Sequence, residues 1–189
     1  MNKVPTSSQT IGPFFSIGLE RLCDATVAGD SVHGERIVVQ GAVRDGDGVA
    51  VPDALLEIWQ ADADGRYGCD EPEGAAMQER RFRGFGRVAT DEQGRFQFVT
   101  VKPESVKDEK GVEMAPHLLV SIFMRGLLTR LVTRIYFCDE TKNATDPVLR
   151  LVPEERRGTL IARVSAAMPG RFEWNVKLQG SDETVFFAC

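Results

Sequence analysis

Apolar and polar residues alternate with a period of two along most of the chain. "ERIVVQGAVRD" puts Ile37, Val39 and Val43 on one face, and "PDALLEIWQAD" continues the pattern after the turn signal "DGDG" at 45–48. "GRVATDEQGRFQFVTV" predicts a hairpin with "DEQG" as its loop and Phe96 and Phe98 on one face. "HLLVSIF" and "TRLVTRIYF" predict a second pair joined through "MRGL", and "RFEWNVKLQG" alternates Phe172, Trp174, Val176 and Leu178. Turn signals recur between these runs at the spacing of an antiparallel β-sandwich. Helix is scarce; the best candidate lies in "DPVLRLVPEERRGTLIARV", where Pro153 can open a turn ahead of Glu154 and Glu155. Residues 1–30, with Pro5, Gly12 and Pro13, read as an irregular arm, and 31–189 as a single sandwich domain. Trp59 and Trp174, both in alternating strands, are expected in the core.

Composition narrows the function classes. A net charge of −5 argues against nucleic-acid or anionic-membrane partners. No apolar run is long enough to span a bilayer, and the start "MNKVPTSSQT" lacks a signal-peptide core. Four scattered cysteines without a CxxC pair predict reduced thiols and a cytoplasmic protein, with Cys69 an inert thiol. Two histidines, His33 and His117, make a nucleophilic triad or a histidine-rich metal site a weak expectation, and no GxSxG, GxxxxGK or GxGxxG is present. Asp62, Asp64 and Asp70 carry oxygen donors but not the spacing of a calcium loop. Residue types alone therefore predict a β-sandwich without an evident active site.

"LLEIWQADADGRYG", "TVKP" and "PHLLVSI", in that order, resemble the intradiol ring-cleavage dioxygenases, specifically those acting on protocatechuate, and the likeness runs from "SSQTIGPFF" to "GSDETVFFAC". The resemblance implies that family's all-β sandwich. Catalytic chains of the family hold a non-haem Fe(III) with two tyrosines and a His-x-His pair, and use it with O2 to open protocatechuate to 3-carboxy-cis,cis-muconate in aromatic catabolism. At the four ligand positions this chain has Tyr67, Val106, His117 and Leu119, and Met114 replaces the arginine that precedes the first histidine. A strand sends residues i and i+2 to one side, so His-x-His can offer two imidazoles to one metal. Leu119 cannot ligate, and Val106 removes a phenolate.

The pattern implies an iron-free alpha-type chain, with no catalytic or metal-binding residue of its own. Its partner would be a homologous beta subunit that binds Fe(III), in a hetero-oligomer with protocatechuate at the interface. On the same resemblance, Thr10, Gly12 and Pro13 line the substrate pocket and Arg125 meets the substrate carboxylate. Arg125 read alone is a surface charge; an anionic substrate calls for its guanidinium fork. The apolar stretches "FFSIGL" and "TVFFAC" are expected to be covered partly by a partner. The residues by themselves also leave open a non-enzymatic binding or scaffold module on the same sandwich.

Overall fold

A computed structural model describes all residues except 1–6, 8, 13, 31, 69–81, 167, 169 and 189. Its strands are β1 (Arg36–Arg44), β2 (Leu55–Trp59), β3 (Phe85–Ala89), β4 (Arg95–Val101), β5 (Val106–Lys107), β6 (Glu113–Met114), β7 (His117–Phe123), β8 (Leu131–Phe137), β9 (Ile161–Val164), β10 (Arg171–Glu173) and β11 (Val176–Lys177). Two short helices, α1 (Phe15–Leu19) and α2 (Glu154–Arg157), lie outside the strands. Pro153 precedes α2 and accepts the Arg156 N–H at 2.9 Å, so the proline opens the turn its position predicts. Among the described residues no helix is long and apolar enough to cross a membrane.

Nine strands form one curled sheet whose halves face each other, and β5 and β6 pair apart from it. One layer joins β4 to β1 and β1 to β10 and β11; the other runs β3–β2–β7–β8–β9, and the β9–β10 pairing connects them. Antiparallel ladders dominate, but β1 runs parallel to β10 and β11, as β8 does to β9. Between the layers lie the residues that the alternation marks: Ile37, Val39 and Val43 from one side, Leu118, Val120 and Ile122 from the other, all at most 1% exposed. Burial of this kind stabilises the fold by about 1.5–3 kcal/mol per side chain. Trp174 belongs to this core, edge-on to Phe96, with its indole N–H donating to Thr159 O at 3.0 Å.

Two expectations need correction. β3 and β4 are not a hairpin: β3 pairs with β2, β4 pairs with β1, and the "DEQG" turn carries the chain from one layer to the other. Phe96 and Phe98 do share a face, the one turned to the core. Trp59 is only half-buried and stacks on Tyr67, ring centroids 5.9 Å apart, rather than entering the core.

The turns share one chemistry. In "DGDG", "DADG", "DEQG" and "DEKG" the leading aspartate (Asp45, Asp62, Asp91, Asp108) accepts the N–H groups two and four residues on through Oδ1, at 2.7–3.0 Å. The fourth residue is glycine with φ between +72° and +81°, a conformation that costs a side-chain-bearing residue more. Asp62, a sequence candidate for cation binding, thus spends Oδ1 on its own turn. Asp70 lies outside the described residues.

Gln60 ties the two layers at the end of β2. Buried to 1% exposure, its amide donates to Ala61 O and Val101 O, while Oε1 accepts from the Thr100 hydroxyl at 2.6 Å. All its polar atoms are paired, as burial demands.

Candidate functional site

Two places matter. The first is the connection between β7 and β8, where Gly126 adopts φ +88°. Its N–H donates to Ile11 O at 3.3 Å, and Ile11 N–H donates to Leu127 O at 3.0 Å. This backbone exchange clips the N-terminal arm to the loop at Ile11, which Thr10 and Gly12 flank in sequence, while Arg125 precedes Gly126. Thr10 and Gly12 are exposed, and nothing lies within 4 Å of where a Gly12 Cβ would stand. Pro13 lies outside the described residues. Arg125 keeps 60% of its side chain in solvent while its Nε sits 3.0 Å from Asp53 Oδ2. Beside this edge is a groove of about 620 Å³ lined by Ile11, Leu128, Phe186 and Phe187 among others.

The apolar stretches behave differently from each other. Phe14 and Ile17, around α1, are 78% and 60% exposed. The C-terminal stretch folds back instead: Phe186 packs on the main core, Val185 and Phe187 pack on a smaller cluster with Tyr136, and Phe187 bridges Val132.

The second place is the outer face of the β2–β7–β8 layer, which carries two of the four family ligand positions, His117 and Leu119; Tyr67 reaches it through Trp59, and Val106 lies in the separate β5–β6 pair. Tyr67 stacks on Trp59, Trp59 stands opposite Leu119, and Leu119 stands opposite Arg134. Val106 stands opposite Met114, and His117 opposite Tyr136. Arg134 Nη1 donates to Met114 Sδ at 3.6 Å and to the Tyr136 hydroxyl at 3.4 Å, so a guanidinium lies amid these positions. The Tyr136 hydroxyl in turn donates to Asp146 Oδ1 at 3.0 Å. Asp146, fully buried, also accepts the N–H groups of Ala115, Val148 and Leu149.

Charge and burial fix the protonation states here. His117 is 8% exposed, and its Nδ1 is 2.7 Å from Ala115 O. A carbonyl only accepts, so Nδ1 carries the proton. Burial first, and the Arg134 charge second, hold this imidazole down at about 4, well below its ordinary range. Burial likewise raises the Tyr136 phenol and keeps it neutral. This donor set does not fit a ferric ion: two of the four positions are hydrocarbon, and a fixed cation stands among them. Among the described residues no group of three or more His, Cys, Asp or Glu is arranged to hold a metal.

Arg134, Tyr136 and Asp146 escape the sequence reading. Arg134 sits in "TRLVTRIYF", where an arginine reads as a solvated strand position; its two-residue spacing from Tyr136, on the register of His117, is the available signal.

Comparisons with known proteins place the chain in a family. The family model described as "Dioxygenase" matches residues 12–180. The chain is 44% identical to the protocatechuate 3,4-dioxygenase alpha chain of Burkholderia cepacia, over 96% of each protein. It is 36% identical to the beta chain of the same organism's enzyme, over 80% of this chain and 67% of that one. Among solved structures, 3-chlorocatechol 1,2-dioxygenase from Rhodococcus opacus 1CP superposes with a TM-score of 0.65 at 24% identity, covering 80% of this chain and 62% of that one, a likeness of fold.

Proposed function

Since the chain belongs to the intradiol dioxygenase family, on the branch of the protocatechuate 3,4-dioxygenase alpha chains, we propose that it is the iron-free subunit of such an enzyme. Its partner is a homologous beta subunit that holds the Fe(III), and the pair cleaves protocatechuate with O2 to 3-carboxy-cis,cis-muconate in the cytoplasm. The observation that supports this is the guanidinium of Arg134, opposite Leu119 and near His117, against Met114 and Tyr136, beside positions where the resemblance puts the metal ligands of catalytic chains. Bound to the partner, iron supplies the activation of the catecholate and O2. This chain supplies walls and charge.

Residues 1–30 serve as the arm that completes the partner's pocket, through Thr10, Gly12 and Pro13. The β7–β8 connection presents Arg125 to the carboxylate of protocatechuate. Supporting this reading are the backbone bonds that hold Ile11 against Gly126 and Leu127, and the exposure of the Arg125 side chain. A guanidinium suits the role because its planar fork matches a carboxylate with two parallel N–H···O bonds. The exposed Phe14 and Ile17 beside the arm are the apolar surface offered to the beta subunit.

Arg125→Ala, introduced into the complex co-expressed with the beta homologue, tests the reading. Loss of one charge-assisted hydrogen bond, about 1.5–3 kcal/mol, lowers kcat/KM for protocatechuate roughly ten- to over a hundredfold. Catechol, which has no carboxylate, keeps its rate, and iron content stays unchanged. Equal loss on both substrates, or none, refutes the assignment.

A further inference from the structure

Arg125 stands on an exposed connection held, among the described residues, to the arm by backbone bonds at Ile11, yet selectivity for a carboxylate needs a guanidinium fixed in direction. The fixing element lies in a different part of the fold. Asp53 occupies the tight turn ahead of β2, between Val51 and Ala54, which are 6% and 1% exposed. That turn is braced from the end of β3 by Thr90, itself 7% exposed. The Thr90 hydroxyl donates to Val51 O at 2.7 Å and accepts the Ala54 N–H at 3.0 Å, while Thr90 N–H donates to Ala54 O at 2.9 Å. The turn carrying Asp53 is therefore anchored on both sides through buried residues.

The carboxylate of Asp53 is only 18% exposed against 60% for the Arg125 side chain. Its Oδ2 is shielded from solvent and receives no aligned hydrogen bond, and the cation beside it is Arg125 Nε at 3.0 Å. A shielded carboxylate oxygen needs a compensating charge, so it holds this one in place. The nearest contact falls on Nε, and among the described residues neither Nη nitrogen makes a hydrogen bond. The outer edge of the fork is the part left for a ligand.

Resting on the role proposed above for Arg125, we infer that Asp53 is a positioning residue for substrate selectivity. Its carboxylate, fixed by the Thr90-braced turn, holds Arg125 by Nε and so aims the two Nη nitrogens at the carboxylate of the aromatic substrate. Asp53 touches no substrate; it acts through Arg125.

Asp53→Asn keeps the shape of the side chain and removes its charge; Asp53→Glu keeps the charge and moves it by one methylene. Both are made in the complex with the beta homologue, alone and combined with Arg125→Ala. Asp53→Asn raises KM for protocatechuate roughly tenfold with kcat nearly unchanged, and leaves catechol turnover as it was. Asp53→Glu gives a smaller rise. In the Arg125→Ala background neither substitution has a further effect, because there is no guanidinium left to aim. Additive losses in that background, equal losses on both substrates, or an unchanged KM in Asp53→Asn each overturn the inference. Failure of Arg125→Ala to discriminate the two substrates would instead remove the underlying reading. A selective Arg125→Ala beside a silent Asp53→Asn removes only the role of Asp53.

Discussion

His117 shows how one side chain changes meaning with its surroundings. Burial and the nearby Arg134 hold it at about 4, below the ordinary 6.5 that it regains on unfolding. The unfolded chain therefore takes up a proton near pH 6.5, which the folded chain refuses until about pH 4. The stability tied to the neutral imidazole is complete above pH 6.5 and is lost as pH falls through that window, about 3 kcal/mol in all. His117→Gln removes this dependence. Urea unfolding at pH 7.5 and pH 4.5 should show a smaller acid loss in the variant than in the parent; equal losses would mean that His117 is protonated in the folded state. The identities at positions 67, 106, 117 and 119 are legible in the sequence because each is a local fact. Arg134 and Asp146 are not, since their roles come from neighbours distant along the chain: Met114 for one, Ala115 for the other.

Elements follow the same division. Alternation located the strands and placed Phe172, Trp174 and Val176 on one face, all at most 2% exposed. It did not say which strands pair. The "DEQG" turn looks the same whether it closes a hairpin or crosses between layers; long-range partners, β2 for β3 and β1 for β4, decide. Trp59 alternates like a core residue but sits on the face that carries Tyr67, and the alternation of a strand does not name its inner face. Two substitutions separate local from long-range demands. Asp91→Ala deletes the acceptor of the Gln93 and Arg95 N–H groups and costs about 1–2 kcal/mol, because water can replace it at an exposed turn. Gly41→Ala is worse. Its Cβ would stand 1.6 Å from Trp174 O, so β1 must part from the β10–β11 segment, at a cost of about 3 kcal/mol or more. Thermal melts should rank Gly41→Ala well below Asp91→Ala; comparable melting temperatures would show that the β1–β10 approach can relax.

Over the whole molecule, the proposed function separates a ligand-position frame that lacks two donors, at Val106 and Leu119, from an arm-and-loop edge that carries Arg125. Whether only the missing ligands keep iron away can be tested by returning them. Val106→Tyr and Leu119→His rebuild the family's four donors, and the register places the new imidazole directly opposite Arg134. The guanidinium stays, held by Met114 Sδ and the Tyr136 hydroxyl. A multivalent cation beside a fixed guanidinium is disfavoured by several kcal/mol at an effective dielectric near 20. The double variant should therefore hold no more iron than the parent complex, by metal analysis and by the absorbance of tyrosinate bound to iron. Adding Arg134→Gln removes the charge and keeps an amide that can still donate to Tyr136. That triple variant should raise both signals above the parent, with Tyr67 and His117 completing the set. Iron above the parent's level in the double variant would mean that Arg134 is no barrier, and no rise above it in the triple would mean that the frame itself has closed.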